Sequence, residues 1–100
     1  MIKHIVMWRL HDQALGKDKA SNAQELKHKL EALRGQIPGL LAIEVGIDHS
    51  ATADSSDVVL YSEFENAQAL HDYHTHPLHL AVAPFVKEVR QDRRVVDYEV

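Results

Sequence analysis

The 100-residue chain predicts an α+β fold of the ferredoxin-like βαββαβ kind: a four-stranded antiparallel sheet, order 4-1-3-2, with helices on one face and a dimeric α/β barrel as the assembled form. Three observations predict it. The first ten residues alternate with a period of two yet are apolar on both faces, as in a strand covered on both sides. Val58-Val59-Leu60-Tyr61 repeats that signature. Around these two central strands, helical periodicities alternate with stretches that have only one strongly apolar face, as edge strands do.

The first strand covers residues 2–10, with Ile2, His4, Val6, Trp8 and Leu10 on one face and Lys3, Ile5, Met7 and Arg9 on the other. His11 to Lys19 is polar, contains Gly16 and reads as a loop. Ser21 with Gln24 resembles a capping box, with room for the helix to begin a turn or so earlier than the box suggests. Ala23, Leu26, Leu30, Leu33 and Ile37 then recur at spacings of three and four, one apolar stripe of a helix closed by Gly35, Pro38 and Gly39. Residues 40–48 alternate, with Leu41, Ile43, Val45 and Ile47 on the apolar side. His49 to Ser56 is a small polar loop without the glycines of a phosphate cradle.

The second central strand, 57–64, ends at Asn66, a good N-cap for a short helix with Ala67, Ala69, Leu70 and Tyr73. His76-Pro77 stops that helix, because the residue before proline avoids the helical region. Pro77 can open a new turn, and Pro84 breaks the pattern again, so 77–91 reads as a kinked helical segment. Val95 to Val100 alternates and forms the last edge strand. Residues 1–100 are one domain, without repeats or linkers.

Both crossover helices must cover the same face of such a sheet. Leaving the opposite apolar face wet forfeits about 1.5–3 kcal/mol per large side chain, roughly 5–10 kcal/mol for a cluster, comparable to a domain's whole stability. A second copy laid face to face is the expected partner. A net charge of −4 argues against nucleic acid, and no 18-residue apolar run spans a bilayer. Zero cysteines exclude disulfides and thiolate chemistry, and the start MIKHIV lacks the apolar core and cleavage site of a signal peptide, so the expected location is cytoplasmic. Arg90, Arg93 and Arg94, interrupted by Asp92, read as a solvated helix end.

Eight histidines stand out, four of them in His71-Asp72-Tyr73-His74-Thr75-His76-Pro77-Leu78-His79. Imidazole exchanges protons near neutral pH, and tyrosine can donate to a developing oxyanion. The spacing matches no metal signature with a mechanical basis, and proline interrupts it. His71 and His74 read as solvent-facing, and His76 as a cap or turn residue.

The segments IKHIVMWRL, IPGL, EVG, DVVLYSEF, ALHDYHTHPLH and VVDYEV together resemble the stress-responsive dimeric α/β-barrel (Dabb) domain over essentially the whole chain. The resemblance implies the fold above, dimerised through the sheet face. Most members are of unknown function and some are linked to stress tolerance. It also implies a cofactor-free pocket between sheet and helices, of the kind a plant cyclase of the family uses for an aldol condensation. The matching positions are His4, Tyr73 and His79 as catalytic groups, with His76 as the histidine of the turn; Val6, Trp8, Val58, Leu60, His76 and Phe85 are the expected binding wall, and no metal is expected. Two departures set that particular reaction aside: Val58 stands in place of a histidine, and Trp8 in place of a smaller aliphatic residue. The function expected is a pocket for a small apolar, oxygenated ligand with acid–base chemistry of aldol or cyclisation type. The alternative is a non-catalytic structural or stress-protective dimer, and a metal-binding module is the third reading.

Overall fold

The computed structural model describes residues 1–100. Strand β1 spans Ile2–Leu10, followed by the two-residue strands β2 (Gln13–Ala14) and β3 (Lys17–Asp18), helix α1 (Lys19–Glu31), β4 (Leu40–Ile47), β5 (Val58–Phe64), α2 (Ala67–Thr75), α3 (Pro77–Val89) and β6 (Arg90–Glu99). The main sheet has the order β4-β5-β1-β6, and every neighbouring pair is antiparallel. This is the predicted 4-1-3-2 arrangement. Each crossover joins parallel strands that have one antiparallel strand between them.

Alternation divides the sheet. Ile2, His4, Val6, Trp8 and Leu10 of β1 are buried together with Val58, Leu60, Ser62 and Phe64 of β5, beneath the helices. Leu26 and Leu30 of α1, Tyr73 of α2, and Val82 and Val89 of α3 complete that core. Register places Ile5 between Tyr61 and Val96, Met7 opposite Val59, and Lys3 opposite Tyr98 on the other face. No helix of this chain covers it, and Met7, Val96 and Tyr98 are 38%, 48% and 42% exposed.

Several local expectations are corrected. The stretch from His11 to Lys19 is not all loop: β2 and β3 form a tight hairpin with Leu15 and Gly16 both at positive φ, which gives the primed-turn geometry. The cap of α1 is Asp18, whose carboxylate accepts from the Ser21 amide at 2.8 Å, so the helix begins a turn before the Ser21 box. Leu33 and Ile37 are buried but lie beyond the helix end, aimed inward by successive tight turns. Within β4, Leu41 is bulged and 54% exposed, so only Ile43 and Val45 of its apolar side are buried.

The segment read as a kinked helical stretch over 77–91 is a single helix, Pro77–Val89, with Pro84 inside it. Proline is tolerated there because its face is exposed, which lets water satisfy the Leu80 carbonyl that loses its partner. Strand β6 begins at Arg90, five residues before Val95. The basic run therefore belongs to a strand, not a helix end.

Gly39, at φ +80°, opens β4. A β-carbon there would lie 2.6 Å from that of Ala69, so the missing side chain is what lets α2 close onto the sheet.

Candidate functional site

The antiparallel register of β1 and β6 sets Asp97 directly opposite His4, and the His4 Nδ1–H donates to the Asp97 carboxylate. His4 is 2% exposed, whereas Asp97 reaches water at the sheet's edge. Fixing the proton on Nδ1 makes Nε2 the basic nitrogen of the neutral ring, and that atom has no partner in the chain. Phe64, Tyr73 and His74 surround the imidazole edge-on, at centroid distances of 6.2, 6.2 and 5.4 Å.

Tyr73 and His74 are delivered by α2, which starts where Asn66 accepts from the Ala69 amide at 2.9 Å. His76 ends that helix and starts the next. Its Nδ1 accepts from the Leu78 amide at 3.1 Å, so the ring is committed to the corner. One turn into α3, His79 packs against Tyr73 with centroids 4.4 Å apart, and its Nδ1–H donates to the His74 carbonyl at 3.2 Å. A neutral His79 therefore also offers an Nε2 lone pair.

Burial sets the protonation of these groups. It holds the His79 pKa below its usual 6.5, against the opposing hydrogen bond to the His74 carbonyl and with help from His4, Arg93 and His76. Burial likewise lowers His74, aided by His4 and His79 and opposed by Asp97. Burial pushes the Tyr73 phenol up to about 12, so it remains a protonated donor at neutral pH. The Tyr73 hydroxyl and the Trp8 indole N–H are both sealed in the protein without an acceptor.

These side chains border one cavity of about 200 Å³. The sheet contributes His4, Val6, Trp8 and Leu60; α1 adds Leu30; α2 adds Tyr73 and His74. His79, Val82, Ala83, Val86 and Lys87 of α3, with Arg90 and Arg93 of β6, close the remainder. Six of the nine sequence-derived site residues are thus brought together: His4, Tyr73, His79, Val6, Trp8 and Leu60. Val58, His76 and Phe85 are not in its lining. Val58 is the first residue of β5, buried opposite Trp8, and Phe85 sits beneath the Lys29 ammonium, 5.3 Å from its ring centroid.

His74, read from the sequence as solvent-facing, is half-buried in the cavity wall, whereas His71 is exposed. The charged residues that sequence reasoning missed are Asp97 and the cations Lys87, Arg90 and Arg93. A signal existed for two of these: positions 79, 82, 83, 86, 87 and 90 follow each other by one, three or four and form one helical stripe. No group of three His, Asp or Glu side chains is arranged to hold a metal ion. Two basic nitrogens and a phenol around a largely apolar space can remove a proton and stabilise the oxyanion that results.

A family model described as the stress responsive A/B barrel domain matches residues 2–100. No curated protein matches the chain. Among solved structures, it is similar to a dimeric protein of unknown function and ferredoxin-like fold from Bacteroides fragilis, at 34% identity and a TM-score of 0.87, over 99% of this chain and 95% of that one. A Dabb family protein from Mesorhizobium loti superposes with a TM-score of 0.75 at 23% identity, over 99% and 95% of the two chains. A hydroxynitrile lyase from Passiflora edulis gives a TM-score of 0.82 at 17% identity, over 99% and 92%, a likeness of fold alone.

Proposed function

The chain belongs to the stress responsive A/B barrel domain family, and from that premise we propose that it is a cytoplasmic homodimer whose protomers each hold a small-molecule pocket for cofactor-free acid–base chemistry. The reaction class is proton removal next to a carbonyl, with aldol addition or cyclisation as the productive outcome. The observation that carries this reading is the carboxylate-held imidazole of His4 in the wall of the cavity that His79 and Tyr73 also line. His4 and His79 are the candidate bases, and the Tyr73 phenol is the candidate donor to the enolate oxygen once ligand entry opens its enclosed hydroxyl, which has no acceptor in the chain, to the cavity. The uncovered apolar face of the sheet supports dimerisation, and the relative from Bacteroides fragilis is described as dimeric.

A second reading is favoured by one observation. The cavity, at about 200 Å³, is smaller than the roughly 300–1,000 Å³ of most ligand pockets. A non-catalytic, stress-protective dimer would need no more space than that.

Deuterium exchange at the methyl group of acetophenone in D2O, followed by proton NMR, separates the two readings. The catalytic reading expects the protein to exceed an equal concentration of free imidazole. It also expects His4→Ala and His79→Ala each to lower that exchange by about 10²-fold in chains that still fold, with a lower melting temperature for the buried His4→Ala. Exchange no faster than with imidazole rejects it.

A further inference from the structure

The charge around the cavity is opposite in sign to that of the molecule. The chain carries a net −4, yet the cavity lining includes Lys87, Arg90 and Arg93 and no aspartate or glutamate. None of the three cations has a carboxylate within salt-bridge distance in the protomer. Lys87 and Arg90 flank the C-terminus of α3, where a cation complements the helix dipole. Arg93 lies three residues into β6, beyond that influence, and shares the inner side of the sheet with Trp8, its partner in register. Its charge is felt at Tyr73, His74 and His79.

The cavity is therefore polarised along its depth. At the buried end stand His4 and Tyr73, with Val6, Leu60 and Leu30 making an apolar wall. At the solvent end stand three fixed positive charges, two of them planar guanidinium groups suited to bidentate contact with a carboxylate. A low-dielectric cleft lined by one sign of charge concentrates ions of the opposite sign.

We propose that this cavity selects small organic acids with an apolar body: the body enters between α3 and the sheet, and the carboxylate stays at the mouth against Lys87, Arg90 and Arg93. This rests on the pocket reading above and adds a substrate class to it. A carboxylate anchored at the mouth leaves the body's far end, and any carbonyl there, facing the histidines.

Benzoate and benzyl alcohol share an aryl body and differ in the anionic group, so the pair tests the idea. Both are titrated into ¹⁵N-labelled protein, with amide shifts of Val82, Val86 and Arg93 as the readout of site occupancy. Benzoate is expected to bind about tenfold more tightly. That ratio should fall toward one in the Arg90→Gln, Arg93→Gln double variant, and also as salt is raised from 20 to about 500 mM. Both substitutions are on partly or fully exposed residues, and an unchanged amide spectrum of the free variant checks its fold. Equal affinities for the two probes overturn the acid selectivity and leave the pocket standing. No shift of these amides with either probe overturns the pocket and the selectivity together.

Discussion

Tyr73 shows how a single residue trades stability against use. Its ring is enclosed by Phe64, His4 and His79, but its hydroxyl is sealed away without an acceptor. An unpaired buried hydroxyl costs about 1–3 kcal/mol. Tyr73→Phe should thus raise the unfolding free energy by about 1 kcal/mol in urea titration, while acetophenone exchange falls. A loss of stability would mean that the hydroxyl has a partner in solution and is a structural group. The residue itself was legible in the sequence from its place before the His76-Pro77 corner. Asp97 was not, because its role depends on which residue of β1 it faces, and that register is set by where β6 begins. The sequence pattern put that start at Val95, whereas pairing with β1 begins at Arg90. His76 carried a signal of both kinds, and the capping role is the one its hydrogen bond fulfils.

At the scale of elements, α3 brings the fold and the site together. It presents His79, Val82 and Val86 to the cavity while Pro84 faces solvent. Proline inside a helix is unfavourable by roughly 3 kcal/mol relative to alanine, and its restriction of the unfolded chain returns up to about 1 kcal/mol. Pro84→Ala is therefore expected to stabilise the protein by about 1–2 kcal/mol, seen as a higher melting temperature. A lower one would show that the Pro84 ring makes contacts that outweigh the lost helical hydrogen bond. Proline also explains why the helix was hard to read: a breaker at its middle looks the same in sequence whether the helix ends or merely forgoes one bond. The strands were easier, since alternation over nine residues of β1 and seven of β5 leaves few alternatives. The β2–β3 hairpin escaped notice because its strands are two residues long and carry no alternation at all.

The whole molecule is a sheet with one face served by its own helices and the other by none. Ile5, Met7, Val59, Tyr61, Val96 and Tyr98 lie together on the latter. Burying several such side chains contributes about 1.5–3 kcal/mol each, enough to hold two copies together at micromolar concentration. Sedimentation velocity at about 10 μM is expected to show a dimer. Val96→Lys, which sets a charge in the middle of that face, should move the population to monomer and lower the melting temperature. A wild-type chain that sediments as a folded monomer would remove the dimer from the proposal. That face was foreseen from sequence because β1 and β5 are apolar on both sides. Which surface the cations would occupy was not, since Arg93 and Arg94 point to opposite faces and only strand geometry tells them apart.

The corner at His76 and Pro77 acts as a ruler for the chemistry. Tyr73 and His74 precede it and His79 follows it, with no slack between helices that share one residue as stop and start. One inserted residue after Pro77 would swing His79 about 100° around its helix and point its imidazole away from the phenol. The spacing of that tyrosine and that histidine along the chain is therefore as much a part of the machinery as the two side chains themselves.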